Sequence, residues 1–216
     1  MAHKAYQGPA GALTELVGYL GGTTRVTALH QTLVQDSIDV RAVSSGSNRL
    51  DQSGWAEGGG LFCMVTTVDQ ARGTACRFTC DIPQGATILS ATFYGYARDN
   101  QTWNPATGTM DVGAEQADDA TAVTSGDRDA KFANQGTLST WAPDGSITNG
   151  NPLLPASDVT AVVQQIVDRA GWAPGNHIQL LTEHPGGADH TGSYRGHDDA
   201  TMSLRPRLEV EFEYLA

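Results

Sequence analysis

The chain has 216 residues, of which 24 are acidic and 13 basic, so its formal net charge is −11. A surface this anionic repels phosphate and runs counterion release backwards, which argues against DNA, RNA and anionic membranes as partners. Glycine supplies 25 residues while only 17% are charged and 7% aromatic, a light, turn-rich composition that suits short strands; this length buries one full β-sandwich core but would cramp two domains.

The chain opens Met-Ala-His-Lys-Ala-Tyr-Gln-Gly-Pro, one lysine with no apolar stretch behind it, so no secretory signal peptide is expected and synthesis in the cytoplasm follows. No run of about eighteen apolar residues occurs, which excludes a spanning helix. Residues 1–24 are poor in charge and carry Leu13, Leu16, Val17 and Leu20 at helical spacing, with Tyr19 among them and Gly18, Gly21 and Gly22 interrupting. Such a segment cannot build a core alone. It is read as a tail or as an arm for assembly, with residues 25–216 forming the sandwich.

From Thr32 the period changes to two, with Thr32, Val34, Ile38 and Val40 on one parity, and this predicts the first strand. Residues 44–60 read as a loop carrying Trp55, and Leu61 to Val68 as a buried strand. Cys76, Phe78, Cys80 and Ile82 then alternate with Arg77, Thr79 and Asp81, a strand whose register is well specified because a one-residue slip buries the charges. Pro83-Gln84-Gly85 predicts a turn before a strand over 87–97, with Leu89, Ala91 and Phe93 facing one way and Tyr94 and Tyr96 the other. Residues 99–106 read as a loop around Trp103, 108–114 as a strand, and the acidic, small-residue stretch 115–129 as a solvated loop.

Val159, Val162, Val163, Ile166 and Val167 predict a short amphipathic helix, with Ser157 or Asp158 as its cap and Gly171 closing it. Ile178 to Leu181 is a further strand. In the last strand Leu208, Val210, Phe212 and Tyr214 alternate with Arg207, Glu209, Glu211 and Glu213, whose glutamates read as protection of a sheet edge. Cys63, Cys76 and Cys80 are an odd set, and residues four apart in a strand stand roughly 13 Å from one another, so three reduced, buried cysteines are expected. The sum is an all-β, antiparallel sandwich with one helix and an N-terminal arm.

The run Ile82-Pro83-Gln84-Gly85-Ala86-Thr87-Ile88 followed by Ser90-Ala91-Thr92 resembles the "IPxGATI.SA" strand pair of a jelly-roll module common in bacterial surface proteins. Further segments follow in the same order: Asp111 to Asp119, Thr137 to Pro143, the DVTAVVQQIVDRAGWAPGN stretch from Asp158 to Asn176, and the closing Pro206 to Glu213. The resemblance spans roughly 60–214, is most specific in the helix and tryptophan turn, and extends to the DNRLRE-type modules. It implies a jelly-roll fold, and through the relatives that bind polysaccharide, a glycan as one class of partner. It brings no family-wide catalytic residue. The insert from His184 to Asp199 is longer than the corresponding loop of those modules.

That insert holds His184, Asp189, His190, His197, Asp198 and Asp199, residue types that ligate zinc or calcium. No pair has the four-residue spacing of a preorganised helical site and Gly186, Gly187 and Gly192 loosen the loop, so no metal or cofactor is expected. Asp118, Asp119, Asp127 and Asp129 invite a glycosidase reading, which needs carboxyls held at a fixed separation that a loop of this kind does not provide. Neither a Gly-x-Ser-x-Gly elbow nor a phosphate-cradling loop occurs.

Two function classes remain. The first is a non-enzymatic virion protein, a phage head decoration or tail-associated component, whose partners are copies of itself and other virion proteins through the arm residues Leu13, Leu16, Val17, Tyr19 and Leu20. The second is a carbohydrate-binding module stacking sugars on Trp55 and Trp103, with Tyr94 and Tyr96 sharing a strand face as a platform or an inter-subunit contact. Trp172, beside the helix, reads as a plug at the sandwich end.

Overall fold

The computed structural model of the chain describes residues 73–215, except 107, 125, 184–191 and 197–198, and before them the backbone of five strands. Those five are β1 (Thr14–Tyr19), β2 (Arg25–Val34), β3 (Val40–Ala42), β4 (Trp55–Glu57) and β5 (Gly60–Phe62). Then come β6 (Gly73–Thr79), β7 (Thr87–Tyr94), β8 (Gln101–Trp103), β9 (Met110–Ala114), α1 (Arg128–Ala133), β10 (Ser139–Trp141), β11 (Gly145–Ile147) and β12 (Ser157–Asp158). The chain ends with α2 (Thr160–Val167), β13 (His177–Glu183), β14 (Ser193–Arg195) and β15 (Arg207–Leu215). The fold is all-β and antiparallel in every pairing described: a five-stranded sheet in the order β1-β2-β15-β7-β12, a six-stranded sheet β10-β9-β13-β6-β3-β4, and the ribbons β11-β8 and β14-β5.

Period two produces the core. Cys76, Phe78, Cys80 and Ile82 are fully buried, and Leu208, Val210 and Phe212 of β15 meet them from the other sheet in one continuous cluster. Phe78 and Phe93 touch edge to face with ring centroids 6.3 Å apart, and Phe93 meets Trp141 at 5.4 Å. Gly95 allows close packing here, since a Cβ there would stand 2.8 Å from the Trp141 ring and 3.1 Å from Tyr194. Cys76 and Cys80 are buried, while Cys63 lies outside the described residues.

Several local expectations are corrected. Leu16 and Val17, read at helical spacing, stand in β1 with the arm residue Tyr19, and its six residues pair with β2 from Thr14↔His30 to Tyr19↔Arg25. Trp55 begins strand β4 and Trp103 ends strand β8, both placed in loops by composition. On β7, Ala91 and Phe93 are buried as expected but Leu89 is 45% exposed, because Glu211 pairs Ser90 while Phe212 pairs Ile88. Leu89 is thus the extra residue of a β-bulge, and the inward position passes to Ile88. The glutamates of β15 guard no edge: β15 lies in the middle of its sheet, between β2 and β7.

The stretch 115–129 is not simply a solvated loop. With α1 it forms a strap over the outer side of the six-stranded sheet, where Val123 and Phe132 pack with Ala75 and Leu181 in a second small core. Lys131, buried, donates to Glu115 at 2.7 Å and to the carbonyl and hydroxyl of Thr121 at 3.1 and 3.0 Å. Arg169 Nε donates to Asp118 at 2.6 Å, and Asp119 stands 2.6 Å from His177 Nδ1 while accepting the His177 backbone N–H at 3.0 Å. The partners of these carboxylates are Lys131 in the adjoining α1 and, from farther along the chain, Arg169 and His177.

Candidate functional site

The open side of the molecule is organised by α2. Strand β12 is only two residues long, so most of the neighbouring edge of β7 would be left without a partner strand. The helix takes that place. Val159 N–H donates to the Ala91 carbonyl at 2.8 Å, Ala91 N–H to Thr160 Oγ1 at 2.9 Å, and Ile88 N–H to Gln164 Oε1 at 2.7 Å. Gln164 Nε2 completes the series by donating to the Ala86 carbonyl at 2.9 Å. Thr160 and Gln164 are four residues apart, hence on one helix face, and together continue the ladder with side-chain amide and hydroxyl groups. On the other side Gln165 Oε1 accepts Thr137 N–H at 2.9 Å, so the helix also ties down the approach to β10. Its apolar stripe, Val162, Val163, Ile166 and Val167, is buried as predicted. Asp158 serves the helix start by accepting the backbone and hydroxyl protons of Thr160 at 3.0 and 2.7 Å. Those bonds hold its carboxyl below the ordinary 3.8.

Between the start of α2 and β10 lies an open groove of about 410 Å³ lined by Ile88, Leu138, Asp158, Thr160, Ala161 and Gln164, among others. The polar groups of Thr160 and Gln164 are turned to β7, as above, and the Ser139 hydroxyl donates to the Asp158 carbonyl. The surface left for a ligand is therefore apolar with an anionic rim: Leu138 is 50% exposed, Ala161 is exposed, and Asp158 stands at the edge.

Two residues along β7 from Thr92, the register partner of Asp158, stands Tyr94. Tyr94 pairs in register with Arg207, whose guanidinium carbon lies 4.7 Å from the Tyr94 ring centre and 5.8 Å from that of Tyr96. Arg207 Nε stands 3.1 Å from Glu209, and burial followed by the Glu209 carboxylate raises the Tyr94 hydroxyl above its ordinary 10.0. Tyr94 and Tyr96 thus flank one cation from the last strand, Tyr94 half-buried and Tyr96 buried at 8% exposure. The same face carries Glu209, Glu211 and Glu213, with Thr92, Ser90 and Thr87 opposite them on β7.

Among the described residues, the other predicted site residues do not join them. Trp103 is 1% exposed, and a Cβ on Gly192 would stand 2.4 Å from its ring, so the ring fills the core and presents no open stacking face. Trp141 and Trp172 are buried too, donating to the carbonyls of Pro155 at 2.9 Å and Ile82 at 2.8 Å. Leu13, Leu20, His184, Asp189, His190, His197 and Asp198 lie outside the described residues. Asp199 is bonded to Arg195 and accepts Thr201 N–H at 2.8 Å. Burial works to raise its carboxyl, but these bonds outweigh it and hold it low. Among the described residues no group of three His, Cys, Asp or Glu side chains is placed to hold a metal ion. Asp118 and Asp119 are occupied in pinning the strap, and Asp127 accepts the backbone and hydroxyl protons of Thr124 at 2.6 and 2.9 Å.

Thr160, Gln164 and Arg207 were not singled out from sequence. The first two had a signal: polar residues at four-residue spacing beside the apolar stripe of a helix. Arg207 had none, since its place beside Tyr94 depends on a pairing across more than a hundred residues. No family model matches the chain, and no curated protein matches it.

Proposed function

We propose that the protein is a non-enzymatic virion component, a phage head-decoration or tail-associated protein made in the host cytoplasm, working through contacts with copies of itself and with other virion proteins. In this reading the sandwich is a jelly roll, as the likeness to the "IPxGATI" modules implies. The observation that carries the proposal is the Tyr94, Tyr96 and Arg207 cluster. Tyrosine and arginine are the residue types that concentrate binding energy at protein interfaces, and here Tyr94 and Arg207 are half-buried on paired strands, Tyr94 on the same strand as Ile88 of the apolar groove. An acidic surface keeps subunits apart until such contacts form.

Sedimentation velocity over a concentration series tests self-association directly, and mass spectrometry of purified virions tests the location. The expected result is a concentration-dependent larger species that is weakened in Tyr94→Ala, together with the protein in the particle fraction. A chain that stays monomeric at high concentration and is absent from particles would overturn the proposal. Retention on a polysaccharide gel that is lost in Tyr94→Ala would instead assign the cluster to a glycan.

A further inference from the structure

We infer that the groove beside α2 receives residues 1–13 of a second copy of the chain, so that copies join head to tail along the edges of their five-stranded sheets. The inference rests on the self-association proposed above and specifies its geometry. The groove offers Leu138, Ile88 and Ala161 with Asp158 at the rim, a surface that suits an apolar segment free of negative charge. Residues 1–13 have that composition: Tyr6, Leu13 and several alanines, one lysine at Lys4, and no Asp or Glu, in a chain whose net charge is −11.

The position of the segment supplies the second argument. It leads into β1, one edge strand of the sheet β1-β2-β15-β7-β12, while α2 and the groove flank the other edge. The register places both at one height. Thr14 pairs His30, His30 pairs Glu211, Glu211 pairs Ser90, and Asp158 stands two residues along, opposite Thr92. Four strand spacings, about 19 Å, separate the two edges. To fill the groove of its own copy the segment must turn through a right angle and cross the sheet. A neighbour laid alongside with its β1 edge facing α2 delivers the same residues directly. An extended stretch of this length reaches roughly 45 Å, ample for that gap. Because the two patches differ, the contact is heterologous and repeats into a ring or a filament. On the receiving side, Tyr94, paired with Arg207, stands two residues along β7 from the register partner of Asp158.

Complementation between two variants is the test. Ala161→Arg fills the groove from an exposed helix position with a good helix former, leaving the α2 bonds to β7 untouched. A chain lacking residues 1–13 keeps the groove and loses the segment, and Lys4→Glu in the full chain gives the same information with β1 intact. Each variant should show far-UV circular dichroism like the wild type and self-associate more weakly by roughly tenfold or more. Mixed, Ala161→Arg and the shortened chain should form a one-to-one dimer and nothing larger, since only one arm and one free groove remain. If the wild type assembles and Ala161→Arg assembles equally well, the groove is not the receiving site and the inference fails while the proposed function stands. If the wild type stays monomeric while the shortened chain binds an added peptide of residues 1–13, the segment docks within its own copy and the head-to-tail contact is overturned. If the wild type is monomeric and no peptide binds, the inference falls, and the proposed function falls with it when the protein is also absent from particles.

Discussion

Replacing Gln164 with Leu removes the part of α2 that acts as a strand while keeping side-chain size and helix propensity nearly unchanged. Two main-chain groups of β7 lose their partners: Ile88 N–H, bonded at 2.7 Å, and the Ala86 carbonyl, bonded at 2.9 Å. The bond to Asp168 at 2.8 Å goes as well, but it is exposed and worth only a few tenths of about 1 kcal/mol. An unpaired buried backbone group costs about 1–3 kcal/mol, and because these positions are only part-buried the lower half of that range applies, giving roughly 2–4 kcal/mol for the pair. In urea titration followed by tryptophan fluorescence the midpoint should fall with an unchanged slope, and Tm should drop by roughly 5–12 °C. Gln164→Glu keeps an acceptor for Ile88 N–H but cannot donate to Ala86 and faces Asp168, so it should fall between the wild type and the leucine variant. Gln165→Leu, which frees the Thr137 N–H and loses the long bond to the Thr137 carbonyl, both exposed, serves as the control and should cost about 1 kcal/mol or less. A Gln164→Leu protein within about 0.5 kcal/mol of the wild type would refute the reasoning, because solvent would then satisfy the β7 edge as well as the helix does.

Lys131→Met leaves Glu115, itself only 12% exposed, without its cation, and should cost about 3–5 kcal/mol by chemical denaturation; Lys131→Met with Glu115→Gln should recover part of that loss. Asp119 is held below its ordinary 3.8 first by the side-chain bond to His177, and Asp158 by Thr160, so both contribute stability that is present above that value and lost as pH falls through the lowered folded-state values. A stability profile between pH 6 and 2 should therefore fall below about pH 4, and Asp119→Asn with Asp158→Asn should flatten the fall. Gly95→Ala drives a methyl group into the Trp141 and Tyr194 rings and should lower stability by about 1–3 kcal/mol, with a changed near-UV circular dichroism signal from those rings.

The strands that could be read in advance are those with one face in the shared core. In β6 and β15 the alternation of Cys76, Phe78, Leu208, Val210 and Phe212 with charged neighbours reports burial directly, because any slip would bury Arg77 or a glutamate. The α2 stripe is legible for the same reason. What escaped reading depends on partners far along the chain. The bulge at Leu89 arises from how β7 meets β15, and nothing within β7 marks it. Trp103 sits among polar neighbours and so reads as exposed, yet β8 turns its ring inward against Gly192. Of the candidate site, Tyr94 and Tyr96 were visible as a pair; Arg207 and the groove were not, since each is assembled from segments that meet only in the fold.

The distribution of charge decides which surfaces are left for contact between copies. On the six-stranded sheet, Glu115, Asp118 and Asp119 are spent on Lys131, Arg169 and His177, and the strap they fasten covers Ala75 and Leu181. On the five-stranded sheet the glutamates at 209, 211 and 213 form a column along the central strand, about 7 Å between successive carboxylates. Two such faces laid against each other would oppose like charges along their whole length, a destabilising arrangement. One face is therefore covered by the chain's own strap and the other repels its counterpart. For the proposed assembly that favours contact at the sheet edges, where β1 ends the sheet on one side and the α2 groove, apolar but for Asp158, stands on the other.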